Sequence, residues 1–316
     1  MSKKAIEVKS LAKSYGKLKV LKGVSFSVET GSIMALLGPN GAGKTTTVKI
    51  LATLLQADSG KAKVGGLDVE SNGHQVRSII GLTGQFAAVD EYLTGRENVE
   101  MIGKLYHLDP TLVTDRASDL LKQLDLTDAA DRPARTYSGG MKRRLDLAMS
   151  LVAKPSILFL DEPTTGLDPR SRLALWDMIK DLAKAGTTIL LTTQYMEEAD
   201  YLAKNIIVLD HGVIIAEGTP AELKAKAGAD RVSLSFSSPA QAKKATALLK
   251  TDVVNDTQIS LPAKKGVESL QDTLNLLKKN SIKPDTAAIS RPTLDDVFLT
   301  LTGHTAEVKK DQEAKK

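Results

Sequence analysis

The 316-residue sequence contains no cysteine, which excludes disulfides, thiolate zinc sites and a cysteine nucleophile together. Long hydrophobic runs are missing as well. The longest, such as Ile33-Met34-Ala35-Leu36-Leu37, fall far short of the ~20 apolar residues that cross a bilayer. The opening Met1-Ser2-Lys3-Lys4-Ala5-Ile6-Glu7 holds no apolar core of signal-peptide length, so a cytosolic chain is expected. Sustained heptads are absent too, so no long coiled coil is expected. A net charge of +5 is mild; it is compatible with an anionic membrane surface or nucleic acid and selects neither.

What is present is ordinary for a globular protein, with 42% hydrophobic and 26% charged residues in a length that suits about two domains. One stretch stands out. Gly38-Pro39-Asn40-Gly41-Ala42-Gly43-Lys44-Thr45 fits the phosphate-loop pattern G-x-x-x-x-G-K-[ST] at every position. The apolar Ile33-Met34-Ala35-Leu36-Leu37 before it has strand length, and residues 45–55 after it read as a helix. The glycines let successive N–H groups point inward at an anion, and the helix adds its positive dipole end. Lys44 is expected against the β- and γ-phosphates, and the Thr45 hydroxyl on Mg²⁺. A chance glycine-rich turn lacks that strand-and-helix context, so the pattern predicts a nucleoside triphosphate site.

Upstream, Ile6-Glu7-Val8-Lys9 and Val24-Ser25-Phe26-Ser27-Val28 alternate as half-buried strands do. Tyr15, between them, could stack on a base or cap the sheet, and aromatic residues usually serve packing. Downstream, Ala57-Asp58-Ser59-Gly60 reads as a turn, and Ile79-Ile80-Gly81-Leu82-Thr83 as a strand ending at Gly84-Gln85. Thr94-Gly95-Arg96-Glu97 is a capping-box pattern opening a helix, and helical spacing continues to about residue 154. Ser138-Gly139-Gly140 is a turn with an N-cap and also a second anion cradle at a helix start. The trio Lys142, Arg143 and Arg144 reads as a solvated face.

Ile157-Leu158-Phe159-Leu160-Asp161-Glu162 is an unbroken apolar strand ending in two carboxylates. Absence of alternation predicts a strand buried on both sides of a parallel sheet, where ligands bind beyond the carboxyl ends. Beside a phosphate loop, Asp161 can support Mg²⁺ and Glu162 can polarise a water. Thr187 to Thr193 is a further buried strand, ending at Gln194, and Asp210-His211-Gly212 is a hairpin turn.

In this order the motifs resemble those of the ATP-binding cassette (ABC) ATPases, from about residue 5 to 225. The resemblance implies an α/β fold: an ABC-type P-loop nucleotide-binding domain at residues 1–225 with a helical subdomain at about 86–154. It implies that Tyr15 stacks on adenine, and that Gln85 contacts Mg²⁺ and senses a transport partner. Nucleotide contacts fall to Gly38, Pro39, Asn40, Gly41, Ala42, Gly43, Lys44, Thr45 and Thr46. Ser138, Gly139 and Gly140 would bind the γ-phosphate of ATP held by a second subunit. Thr45, Gln85 and Asp161 serve the metal, Glu162 is the general base with Lys44 and Gln194 beside it, and Asp168 lies in the loop linking the two sites. Most members carry histidine where Gln194 stands; glutamine donates a hydrogen bond there but carries no charge.

More narrowly, Gly81-Leu82-Thr83-Gly84-Gln85-Phe86-Ala87-Ala88-Val89-Asp90, Thr192-Thr193-Gln194-Tyr195-Met196-Glu197-Glu198-Ala199-Asp200 and Leu294-Asp295-Asp296-Val297-Phe298-Leu299 resemble the daunorubicin-resistance branch of drug exporters. That branch shares the glutamine at 194, so slow but real hydrolysis is expected. The resemblance further implies ATP and Mg²⁺ as cofactors, a separately encoded membrane permease, a head-to-tail homodimer, and a place at the cytoplasmic face of the membrane. A helical stretch at residues 86–105 would meet the permease. The rival, a soluble ABC ATPase acting on ribosomes or nucleic acid, is disfavoured by the single phosphate loop, so no nucleic-acid partner is expected.

Beyond Pro220 the pattern changes. Residues 230–303 read as β-α-β-α-β-α, a small α+β domain without catalytic residue clusters, suited to dimerisation or regulation or serving only as a stabilising appendage. Residues 304–316 mix charges without periodicity and are expected to be disordered.

Overall fold

The computed structural model describes residues 3–84, 88–226, 230–251, 253–263, 265–290 and 292–302. It forms two compact units, Met1–Pro220 and Ala221–Lys316. The expected disordered tail at 304–316 lies outside the described residues, as does Gln85.

The first unit contains β1 (Lys4–Tyr15), β2 (Leu18–Glu29), β3 (Ile33–Leu37), α1 (Lys44–Leu51), β4 (Ser59–Val64), β5 (Leu67–Asp68), α2 (Gly73–Ile79) and β6 (Ile80–Thr83). It continues with α3 (Gly95–Leu105), α4 (Pro110–Gln123), α5 (Gly139–Leu151), β7 (Ile157–Asp161), α6 (Pro169–Lys184), β8 (Thr188–Thr193), α7 (Met196–Leu202), β9 (Asn205–Asp210) and β10 (Val213–Gly218). One antiparallel sheet runs β2-β1-β4-β5, and a six-stranded sheet runs β10-β9-β3-β8-β7-β6. In the latter β9, β3, β8, β7 and β6 are parallel, and only β10 runs against its neighbour. Every residue of β3, β7 and β8 is buried, which is why their sequences are apolar without alternation. The core between the two sheets includes Val8, Phe26, Leu36, Val48, Leu51 and Phe159.

Several local expectations need correction. The helix after the phosphate loop ends at Leu51 rather than 55. Thr53 turns left-handed at φ +61°, Leu54 N–H reaches back to the Lys49 carbonyl and Thr53 N–H to that of Ile50, the pattern of a Schellman stop. Ser59 and Gly60 are not a turn but open β4. At φ +96°, an added Cβ on Gly60 would lie 2.4 Å from the Ser10 carbonyl oxygen, so β1 and β4 approach closely only because this residue is glycine. Ile79 closes the short helix α2 instead of opening a strand. Of the stretch expected to be helical at 86–105, the described residues 88–105 are helical only from Gly95, where Thr94 and Glu97 form the expected reciprocal capping box.

The second unit opens with α8 (Pro220–Lys226), whose first residue closes the first unit. It holds β11 (Arg231–Ser235), α9 (Pro239–Leu249), β12 (Val253–Asn255), β13 (Gln258–Pro262), α10 (Val267–Lys279), β14 (Thr286–Ser290) and α11 (Leu294–Thr302). The sheet order is β12-β13-β11-β14, all antiparallel, with a core of Val232, Leu234, Ile259, Ala242 and Leu277. This is a split βαβ arrangement. The expected β-α-β-α-β-α order missed β12, whose three residues are too few for alternation to register.

Candidate functional site

The carboxyl ends of the neighbouring strands β3, β8 and β7 carry the phosphate loop, Gln194, and Asp161 with Glu162. The loop from Gly38 to Gly43 leaves the carboxyl end of β3, and Gly41 and Gly43 take φ +82° and +106°, curling the backbone toward the start of α1. Gly38 is held against the sheet: its N–H donates to the Thr193 carbonyl, and a Cβ there would lie 2.1 Å from the Leu209 carbonyl oxygen. Pro39, Asn40 and Gly41 are exposed, Ala42 and Gly43 are buried, and Thr45 and Thr46 are half-buried.

The Lys44 side chain is only 4% exposed. Its ammonium donates to the carbonyls of Gly38 at 2.8 Å and Pro39 at 3.1 Å and lies 3.4 Å from the Glu162 carboxylate. Burial lowers its pKa from the ordinary lysine value, while Glu162 and Asp161 oppose that shift. Thr45 Oγ1 donates to Asp161 Oδ1 at 3.1 Å, joining the two proposed metal-supporting side chains between the start of α1 and the end of β7. This hydroxyl and carboxylate are hard oxygen donors of the kind Mg²⁺ prefers when it also takes ligands from phosphate.

Glu162 sits just past β7 at φ +49°, an unfavourable region for a residue with a Cβ. It is over-determined there. Its N–H donates to both the carbonyl and the hydroxyl of Thr192, and its Oε2 accepts from Thr165 Oγ1 at 3.3 Å. Thr192 also donates to Asp161 Oδ1 at 2.5 Å, so one β8 hydroxyl fixes both acids. Gln194, half-buried, follows directly after β8.

Tyr15 is 49% exposed at the end of β1. Ser138 caps α5, accepting from the Met141 N–H, and Ser138 and Gly139 are exposed. Asp168 caps α6; the Ser171 hydroxyl and N–H donate to its carboxylate and hold its pKa below the usual range. An added Cβ on Gly140 would lie 2.8 Å from Ser171 Oγ, so α5 and α6 meet at that glycine.

The basic trio is not a solvated face. Lys142 pairs with Glu91, and Arg144 bonds Asp125 and the carbonyls of Leu124 and Asp125. Arg143 is buried because backbone carbonyls of the acidic loop surround its guanidinium, as set out below. Sequence reasoning missed Thr192, Arg143, Ser171 and Glu198. Glu198 is fully buried on α7 and accepts from Trp176 Nε1 and Thr164 Oγ1. Only its place four residues past Gln194 could have drawn attention to it.

Residues 21–165 match the family model described as ABC transporter. Daunorubicin resistance ATP-binding protein DrrA3 of Streptomyces coeruleorubidus is 49% identical over 98% of this chain and 99% of its own. Doxorubicin resistance ATP-binding protein DrrA of Mycobacterium tuberculosis is 44% identical over 94% of this chain and 93% of its own. Among solved structures, cbiO1 from Clostridium perfringens, part of the ABC transporter complex cbiONQ, superposes with a TM-score of 0.66 at 26% identity, over 71% of this chain and 91% of that one.

Proposed function

Because the chain belongs to the ABC transporter ATPases, it is an ATP-binding subunit that hydrolyses ATP, and we propose that Glu162 is the general base of that hydrolysis. The observation that carries the assignment is the pairing of Glu162 with the phosphate-loop Lys44, beside the Thr45–Asp161 hydrogen bond. Lys44 offsets charge on the transferred phosphoryl group, and the N–H groups from Gly38 to Thr46 cradle the phosphates. Glu162 takes a proton from the water that attacks the γ-phosphorus, and ADP leaves. Thr45 and Asp161, together with Gln85, would hold Mg²⁺, and the ion would supply charge neutralisation to the phosphates. Gln194 donates a hydrogen bond to the γ-phosphate, and Tyr15, exposed at its turn, stacks on adenine.

Two chains pair head to tail. The open N-terminus of α5, with Ser138, Gly139 and Gly140, receives the γ-phosphate of ATP on the other copy, and Asp168 lies at the link between the sites. The subunit docks at the cytoplasmic face of the membrane on a permease; among the described residues no helix is long and apolar enough to cross a bilayer itself. A groove of about 240 Å³ lined by Leu54, Leu82, Ala88, Ile102 and Tyr106 is the surface that suits a permease segment, since Leu54 and Tyr106 are exposed within it. Relatives named for daunorubicin, doxorubicin and linearmycin resistance support a drug or other hydrophobic compound as cargo. The second unit serves dimerisation or regulation.

The test is affinity purification of the chain from detergent-solubilised membranes of its source cell, with mass spectrometry of what accompanies it. A near-stoichiometric multi-helix membrane protein is expected; ribosomal proteins or DNA without a permease would overturn the reading.

A further inference from the structure

Arg143 lies on α5, one turn beyond Ser138-Gly139-Gly140, and its guanidinium is buried among backbone oxygens. All five of its N–H donors are used. Nε donates to the Pro163 carbonyl at 2.7 Å, and one terminal nitrogen to those of Asp161 and Glu162 at 3.1 and 3.2 Å. The other donates to the Gly84 carbonyl at 2.6 Å and lies 3.4 Å from Asp146 Oδ2. Asp146, also buried on α5, accepts from the Ala88 N–H at 3.0 Å through Oδ1. One ion pair therefore grips three consecutive carbonyls of the acidic loop with one hand. With the other it grips the residues on either side of the 85–87 segment.

We propose that Arg143 and Asp146 form a positioning clamp that fixes the Glu162 loop relative to the flanks of Gln85, and so sets the rate of hydrolysis without contacting ATP. The proposal rests on the reading of Glu162 as the base. Its physical basis is the strain at Glu162. A residue held at φ +49° stays there only while its surroundings over-determine it, and the bond from Arg143 to its carbonyl is one of those constraints. A lysine at 143 keeps the charge but offers a point ammonium instead of a planar fork, so it cannot hold the loop and Gly84 together. Asparagine at 146 keeps the acceptor for Ala88 and loses the charge that orients the guanidinium. Among the described residues Asp146 bonds to Arg143 and Ala88 and not to the acidic loop, which makes it the sharper probe of the linkage.

The experiment uses the full chain with ATP and Mg²⁺, comparing single-turnover hydrolysis and equilibrium ATP binding in wild type, Arg143→Lys, Asp146→Asn, the double variant and Glu162→Gln. The clamp predicts that Arg143→Lys lowers the rate by about a hundredfold, the scale of an ångström-level misplacement, with ATP affinity within about twofold of wild type. Asp146→Asn lowers the rate in the same selective way, and the double variant is no worse than Arg143→Lys. In the Glu162→Gln background neither substitution lowers the residual rate further. If both singles keep wild-type rates while Glu162→Gln is inactive, the clamp is wrong and the base assignment stands. If rate and affinity fall together, the residues are merely structural and the clamp is equally wrong. Retained turnover in Glu162→Gln would instead remove the base assignment on which it rests. Should Arg143→Lys not fold by circular dichroism, Asp146→Asn alone decides.

Discussion

The Lys44 ammonium lies 3.4 Å from the Glu162 carboxylate, with the two side chains only 4% and 7% exposed. Each compensates the other's buried charge, and in the proposed mechanism each faces the γ-phosphate. Binding of ATP therefore inserts phosphate oxygens beside a lysine that is already satisfied by Glu162 and two carbonyls.

Removing one member of the pair leaves the other charge buried alone. Lys44→Met is expected to lose ATP binding and to destabilise the first unit by about 3 kcal/mol, the scale for a broken buried pair. Adding Glu162→Gln restores part of that stability but none of the ATP binding. Thermal melting of the two variants separates these outcomes; an equal or larger loss in the double variant would contradict the pairing.

Gly38→Ala tests the close approach under the phosphate loop. A Cβ 2.1 Å from the Leu209 carbonyl oxygen cannot be accommodated without moving β9 or the loop. Expected are a lowered melting temperature and ATP binding weakened by about tenfold or more, of the order that ~1.4 kcal/mol of displaced loop produces. Unchanged binding would show that the loop yields more readily than its contacts indicate.

Gly139 gives the opposite case, since a Cβ there meets nothing within 4 Å. Gly139→Glu should fold normally and bind ATP with unchanged affinity, while its carboxylate repels the γ-phosphate carried by a second copy. Turnover is expected to fall by about a hundredfold, as when an oxyanion-stabilising site is lost. Wild-type turnover in this variant would argue against head-to-tail pairing.

Glu198 supplies a pH-dependent prediction. Burial raises its pKa above the ordinary glutamate value, against the bonds it accepts from Thr193, Trp176 and Thr164. A raised carboxyl pKa means the folded state binds the proton more tightly, so its stabilising share is complete below the unfolded value and is lost as pH rises through the folded one. Glu198→Gln keeps an acceptor for these donors and removes the ionisation. Its melting temperature relative to wild type should therefore rise by a few degrees between about pH 4 and pH 8, on the scale of ~2–4 °C per kcal/mol. A pH-independent difference would contradict this.

The parts of the fold that were legible in the sequence are those decided locally. The loop at 38–45 needs its glycines and lysine at fixed spacing, the capping box at Thr94 and Glu97 is four residues long, and β3 and β7 declare their burial by lacking alternation. In the sequence Arg143 reads as solvated because neighbouring lysine and arginine suggest a charged surface. Its burial depends on carbonyls of Asp161, Glu162 and Pro163, which reach it only after β7 and α5 pack. Thr192 likewise looked like the end of an apolar strand. Its hydroxyl gains meaning only because β8 and β7 are parallel neighbours in register, Asp161 beside Thr192.

The central claim is that this chain hydrolyses ATP with Glu162 as the base, and Glu162→Gln tests it most directly. Purified wild type and variant are compared for ATP binding at equilibrium and for phosphate release under single-turnover conditions. The geometry predicts retained ATP binding with turnover lowered by about a thousandfold or more, the scale of losing proton abstraction and water orientation together. Near wild-type turnover would contradict it.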